Sequence, residues 1–142
     1  MEGKRLTLPE SIQLGDITVR DGLQVLEHYY PADLKVGLAE DLILAGFKDL
    51  EVTNFGHPKF LPQFKDVEEV LDRLFQSERV GHLLKQNGGD VAIHVITINE
   101  KSLTRALEYK SSRGYGPDYV LQMVSTDEAH HRVNSGMSLA DY

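Results

Sequence analysis

No cysteine occurs among the 142 residues. That excludes disulfides, thiolate nucleophiles and cysteine-based zinc sites, and it agrees with a reducing compartment. Long apolar runs are missing as well: nothing approaches the ~20 residues that cross a bilayer. The opening Met1-Glu2-Gly3-Lys4-Arg5 is not followed by an apolar stretch, so no secretory signal is read. A cytosolic chain is expected, or an organellar one whose targeting segment is missing. Positive charge is scarce, with 15 Lys and Arg against 22 Asp and Glu, for a formal net charge of −7. An acidic surface repels phosphate backbones, so neither nucleic acid nor an anionic membrane is an expected partner. A local basic pocket for a small anion remains compatible with this balance. The familiar nucleotide and hydrolase fingerprints are absent too: there is no Walker loop, GxGxxG, GxSxG or HExxH.

What is present is ordinary globular material, 41% hydrophobic and 26% charged, long enough for a single domain over 1–142 with a real core. A first strand is predicted at Ile17–Val19. Pro31 then suits a helix start, Leu34, Leu38 and Leu42 line one face at i, i+4 and i+8, and Gly46 offers a stop. "KDLEVTNF" gives a second strand around Leu50–Thr53. Asp66 with Glu69 makes a helix-start pair, and Val67, Val70, Leu71, Leu74 and Phe75 follow with helical spacing. Asn87-Gly88-Gly89-Asp90 breaks the chain before a third strand, "VAIHVITI". Asn99 caps a third helix with Leu103, Ala106 and Leu107 inward, and "YVLQMV" closes the series as a fourth strand. Strands alternating with amphipathic helices predict a parallel α/β sheet with right-handed crossovers. Ser138-Leu139-Ala140-Asp141-Tyr142 reads as the start of a further helix, so a larger fold is expected to continue past it.

Parallel strands covered on both faces should be apolar throughout, and two of these are not. The first runs into Arg20-Asp21-Gly22, and the second carries Glu51 between Leu50 and Val52. Polar groups at the C-terminal ends of parallel strands lie where α/β folds place ligands. Alternation puts Thr18 and Arg20 on one side of the first strand, and Asp49, Glu51 and Thr53 on one side of the second. Arg20 and Glu51 would then converge, either as a satisfied ion pair or as part of a site. Asp21 joins them only if the strand ends there, which Gly22 permits; Asp-Gly is equally an ordinary turn. His57, Lys59 and Gln63 lie in a proline-stiffened loop after the second strand, and Thr97 and Asn99 end the third. The adjacent His130-His131 is read as a solvated face rather than a metal site.

Together "VRDGLQ" (19–24), "LAGFKDLEVTNF" (44–55), "HPKFLPQFKD" (57–66) and "VITINEKSL" (95–103) resemble the metal-dependent carbon–carbon lyase and Claisen-type synthase barrels. Within that pyruvate carboxyltransferase-like superfamily they are most similar to the 3-hydroxy-3-methylglutaryl-CoA lyases. Leu23 favours the lyases, because the synthases usually show RDGEQ. The resemblance implies the N-terminal half of a TIM (β/α)₈ barrel. It implies Asp21 as ligand of a divalent metal, Mg²⁺ or Mn²⁺, Arg20 as stabiliser of a developing enolate, and Glu51 as organiser of Arg20. Gln24, Asn54 and Thr97 are implied as substrate-pocket residues, the substrate being an acyl-CoA or hydroxy acid cleaved in a retro-Claisen step. Asn54 and His57 stand where the family motif has serine. The family's His-x-His metal pair, its further Asn ligand and its mobile-loop Cys belong to the second half of the barrel, and this chain has neither a His-x-His nor a Cys. A full barrel has eight βα units and typically ~250 residues. The chain is therefore expected to be half of a longer enzyme and inactive alone. The competing expectation is a non-catalytic half-barrel that self-associates through exposed sheet edges. A Schiff-base aldolase is disfavoured, since Lys48 precedes its strand and Lys59 lies in a loop.

Overall fold

Four short strands lie side by side in chain order, each parallel to the next, in the computed structural model, which describes residues 9–123 and 125–140. They are β1 (Gly15–Asp16), β2 (Asp49–Asn54), β3 (Ala92–Thr97) and β4 (Tyr119–Gln122). Helices α1 (Ala32–Leu44), α2 (Val67–Phe75) and α3 (Glu100–Arg113) connect them in turn, and α4 (Glu128–Ser135) follows β4. The alternating parallel arrangement expected from the sequence is the one found. Leu50 and Val52 of β2 and Ile93 and Val95 of β3 are buried with Leu71 and Leu74 of α2 and Ala106 and Tyr109 of α3 in one apolar cluster. The alternate residues Asp49, Glu51 and His94 occupy the other side of the sheet. All five apolar residues predicted for α2 are buried, and Asn99 and Ser102 close a reciprocal capping box at the start of α3.

Several local expectations are corrected. The first strand is Gly15–Asp16, not Ile17–Val19, because Asp16 accepts the Thr18 N–H (2.8 Å) and hydroxyl (3.1 Å) and turns the chain. The buried face of α1 is Ala32, Lys35, Val36, Ala39, Glu40 and Ile43, while Leu34 is exposed. Two charged members of that face are neutralised from other segments: Lys35 by Asp66, and Glu40 by Arg79. Asp66 does precede α2 but makes no cap bond, since Lys35 and Tyr29 take its carboxylate. Leu107 is 56% exposed, and Tyr109 takes the inward place on α3. His131 is buried rather than solvated. The fourth strand ends at Gln122, with Val124 outside the described residues. Residues 138–140 are not helical, and the remainder of the predicted terminal helix start lies outside the described residues.

On the outer side, Asp72 of α2 accepts Tyr109 Oη (2.8 Å), Tyr115 Oη (3.0 Å) and Arg113 Nε (2.8 Å), fastening α2 to α3. Burial alone would raise the Asp72 carboxyl, but hydrogen bonds from Arg113 and both tyrosines outweigh it and hold it below its ordinary value. A carboxyl lowered on folding stabilises the fold above its unfolded pKa, and that contribution disappears as pH falls through the folded one. Asp72→Asn is therefore expected to destabilise at neutral pH, and its disadvantage should shrink as pH falls below the ordinary carboxylate pKa of about 4. Urea midpoints of both proteins at pH 7 and pH 3 check this: the gap must narrow in acid.

Candidate active site

The sequence Ile17–Gly22 forms no strand because its backbone bonds close locally. Asp21 N–H reaches the Ile17 carbonyl at 2.6 Å and Gly22 N–H reaches the same carbonyl at 3.4 Å, five residues back, making Thr18–Gly22 a π-type turn. In a pleated strand Arg20 and Asp21 would face opposite ways. In this turn they share one hydrogen bond, from Arg20 Nη1 to Asp21 Oδ1 at 2.5 Å.

Arg20 is buried, and its guanidinium extends to β2. Nε and Nη2 both donate to Glu51 Oε2, at 2.8 Å and 2.5 Å. Glu51, unfavourable in a strand by composition, is thus matched by a planar donor fork that stays charged at any relevant pH. A register shift in the β2–β3 ladder lies just beyond it, between Glu51 and Thr53, an irregularity of the kind that re-aims side chains next to active sites. The three residues form an exposed carboxylate (Asp21, 51%) and a buried cation in the turn after β1, and a mostly buried carboxylate (Glu51, 18%) within the neighbouring strand β2. Arg20 is held by two anions, and the trio carries a net charge of −1.

Among the described residues, no side chain of the other sequence-derived pocket residues hydrogen-bonds to the side chains of that trio. Gln24 follows the turn, and among the described residues its buried Oε1 has no hydrogen-bond partner. Asn54 is buried and spends Oδ1 on the Gly56 N–H at 2.8 Å. That bond needs the bare glycine: a Cβ at Gly56 would lie 3.0 Å from the same oxygen and 2.6 Å from Leu61. Thr97 is buried and reaches Gln122 of β4 at 3.4 Å. His57 is exposed, with Nδ1 accepting the Lys59 N–H at 3.1 Å.

A hard divalent ion needs several oxygen ligands. Asp21 is the more exposed carboxylate, with Arg20 on its Oδ1, while Glu51 takes two Arg20 donors on Oε2 and is mostly buried. No group of three His, Asp or Glu side chains able to hold a metal ion assembles among the described residues. The residues present fit one ligand, not a centre.

Sequence reasoning overlooked a second polar row on the same side of the sheet. Asp49 of β2 accepts from Gln13 Nε2 and lies 2.9 Å from His94 Nε2 of β3. The His94 ring stacks on Tyr119 of β4 with centroids 4.8 Å apart, and Lys85 Nζ donates to the Tyr119 hydroxyl at 2.9 Å. The signal was available: His94 interrupts an apolar strand as Glu51 does.

No family model matches the chain. Among curated proteins it is 34% identical over 65 residues to the mitochondrial hydroxymethylglutaryl-CoA lyase of Arabidopsis thaliana, and 37% identical over 65 residues to that of Mus musculus. These stretches are 46% of this chain but only 14% and 20% of the relatives. Among solved structures it superposes on the Pseudomonas aeruginosa hydroxymethylglutaryl-CoA lyase with a TM-score of 0.73 and 27% identity, over 94% of this chain and 39% of that one. A similar match, at 0.73 and 25%, covers 90% of this chain and 36% of an HMG-CoA lyase from Acinetobacter baumannii in complex with coenzyme A and 3-methylmalate. By sequence over those stretches and by fold over nearly all its length, the chain is similar to the hydroxymethylglutaryl-CoA lyases and shares part of their TIM-barrel fold, spanning well under half of the barrels it matches.

Proposed function

We propose that the chain carries the arginine-and-carboxylate part of a carbon–carbon lyase site, acting in a retro-Claisen cleavage of a 3-hydroxyacyl-CoA-like substrate. The observation that carries this reading is Arg20, buried in the turn that follows β1 and clamped between Asp21 and Glu51 of β2. In the reaction a base takes the proton of the 3-hydroxyl, and its electron pair forms the new C3 ketone. The C2–C3 pair moves into the thioester, whose oxygen becomes an enolate, and C2 is then protonated. Arg20 answers the charge on that oxygen. Its two bonds to Glu51 fix the guanidinium before the charge develops, so little reorganisation is needed during the step. The coenzyme A in the Acinetobacter relative supports a thioester as the substrate class.

Asp21 would lend one oxygen to a Mg²⁺ or Mn²⁺ ion, whose remaining ligands would come from outside the described residues. On this reading the chain is inactive alone. The test pairs it with a segment of the Pseudomonas aeruginosa lyase that carries the barrel strands this chain lacks. Cleavage of hydroxymethylglutaryl-CoA is expected only from the mixture, and only with the divalent ion. If the Pseudomonas enzyme's own two halves reconstitute while this mixture stays silent, the reading fails.

One observation favours a second reading, a half-barrel that pairs with its own copy. Among the described residues, β1 and β4 each have a strand neighbour on one side only. Ile12, Leu14 and Ile17 lie exposed beside β1, and Tyr119 and Met123 beside the other edge. Sedimentation of the chain at twice its 16.0 kDa mass supports this reading, and a monomer across the micromolar range removes it.

A further inference from the structure

Lys35 occupies an interior slot of α1, between the buried Ala32, Val36 and Ala39, and is itself 1% exposed. An ammonium there is costly unless it is paired and fully hydrogen-bonded. Its partners come from two other segments. Nζ donates to Asp66 Oδ1 at 2.6 Å and to the Gln63 carbonyl, both in the stretch that leaves β2. It also lies 4.8 Å from the ring centre of Tyr29, in the stretch that leaves the Arg20-Asp21-Gly22 turn. Those two stretches hold each other as well. Tyr29 Oη donates to Asp66 Oδ2 at 3.1 Å, and Gln63 Nε2 donates to the Leu26 carbonyl at 2.8 Å. Leu26 is tied back by its own N–H to Leu23, where the backbone N–H groups that cap the turn donate to the Thr18, Arg20 and Asp21 carbonyls.

We propose that Lys35 is a positioning residue for the candidate site: its buried charge joins the chain leaving the Arg20 turn to the chain leaving the Glu51 strand, and so holds Arg20 on Glu51. Lys35 touches neither residue. It fixes the two segments through which both are carried, and each of those segments brings a polar group that only the others satisfy. A neutral side chain of the same length would fill the slot but leave Asp66, 5% exposed, without its cation. Residues 57–66 would then have reason to move outward toward water.

The proposal rests on reading Arg20, Asp21 and Glu51 as the site, but its test does not use turnover. In the ¹⁵N-labelled 142-residue chain, the Arg20 Nε–H signal reports the bond to Glu51 directly. Lys35→Met is expected to speed exchange of that hydrogen at least tenfold, with the α3 amides of Ala106 and Tyr109 unchanged. Lys35→Arg, which keeps the charge, is expected to recover most of the protection. Should Lys35→Met fail to fold, Asp66→Asn removes the pairing from the other side with little change of shape and is expected to give the same selective loss. Unchanged Arg20 protection, or an equal loss at Arg20, Ala106 and Tyr109, overturns the proposal. Absence of lyase activity in the reconstituted barrel with the selective loss intact would instead refute only the functional reading.

Discussion

Replacing Arg20 by methionine in the reconstituted barrel is expected to lower kcat by about 10²–10³-fold, the cost typical of removing one preorganised donor to a developing oxyanion. Charge on the thioester oxygen appears mainly in the transition state, so KM should move much less than kcat. Lysine is not expected to rescue the loss. A single ammonium cannot place two N–H groups on Glu51 and a third on Asp21, as the guanidinium does through Nε, Nη2 and Nη1. The same substitution leaves Glu51 largely buried without its cation. Breaking a fully buried pair costs about 3–5 kcal/mol, and partial solvation of Glu51 reduces that to about 1–3 kcal/mol. Turnover must therefore be compared at a temperature where the variant is folded, confirmed by circular dichroism. A kcat within threefold of the parent would show that Arg20 is a structural ion pair and nothing more.

Gly89→Ala is expected to be the most damaging methyl that can be added to the fold. A Cβ at Gly89 would lie 2.0 Å from the Leu83 carbonyl oxygen and 2.2 Å from its carbon, both of them backbone atoms with no rotamer to change. That carbonyl also accepts the Val91 N–H at 3.0 Å, while Lys85 N–H donates to Val91 at 2.7 Å and Leu84 bridges to Val91. Relieving the clash pulls on the entry to β3, the strand between β2 and β4. Overpacking of this kind costs about 3 kcal/mol, or roughly 10 °C of Tm in a domain of this size. Gly88→Ala is the control. Its φ of +89° strains any side chain, but a Cβ there meets nothing within 4 Å, so about 1 kcal/mol is expected. Thermal melts of the two variants test the order: equal losses, or a larger loss for Gly88→Ala, would contradict the crowding account.

The sequence was most legible where period and polarity agree. α2 shows its buried face because all five apolar positions fall on one stripe. Arg20 and Glu51 stand out because each breaks an apolar strand near its end. Illegible features were those decided by partners far along the chain or by short local bonds. Ile17-Thr18-Val19 has strand composition, yet the Asp16 side chain captures Thr18 and diverts the backbone into the turn that brings Arg20 and Asp21 together. Leu34, Leu38 and Leu42 make a regular stripe on α1; Leu38 and Leu42 do pack partly against the core, but the fully buried stripe is the neighbouring one and Leu34 is exposed. No local pattern shows that Lys35 meets Asp66, 31 residues on. Likewise Asp66 looks like a helix cap until Lys35 and Tyr29 are seen to hold it. Tyr109 takes the inward place expected for Leu107 because its hydroxyl has Asp72 to reach and Leu107 has no such need.

The row formed by Asp49, His94 and Tyr119 has a consequence for how the strands find their alignment. A one-residue slip would turn every side chain of a strand to the opposite face and is forbidden by the apolar side alone. A slide by two residues keeps the faces, and Val, Ile and Leu tolerate such exchanges well. The polar side does not. Moving β3 by two would set Ala92 or Ile96 in the place of His94, leaving the Asp49 carboxylate without the imidazole and Tyr119 without its stacking partner. Hydrophobic packing thus decides which way each strand faces, and one aspartate–histidine contact decides how far along its neighbour it stops.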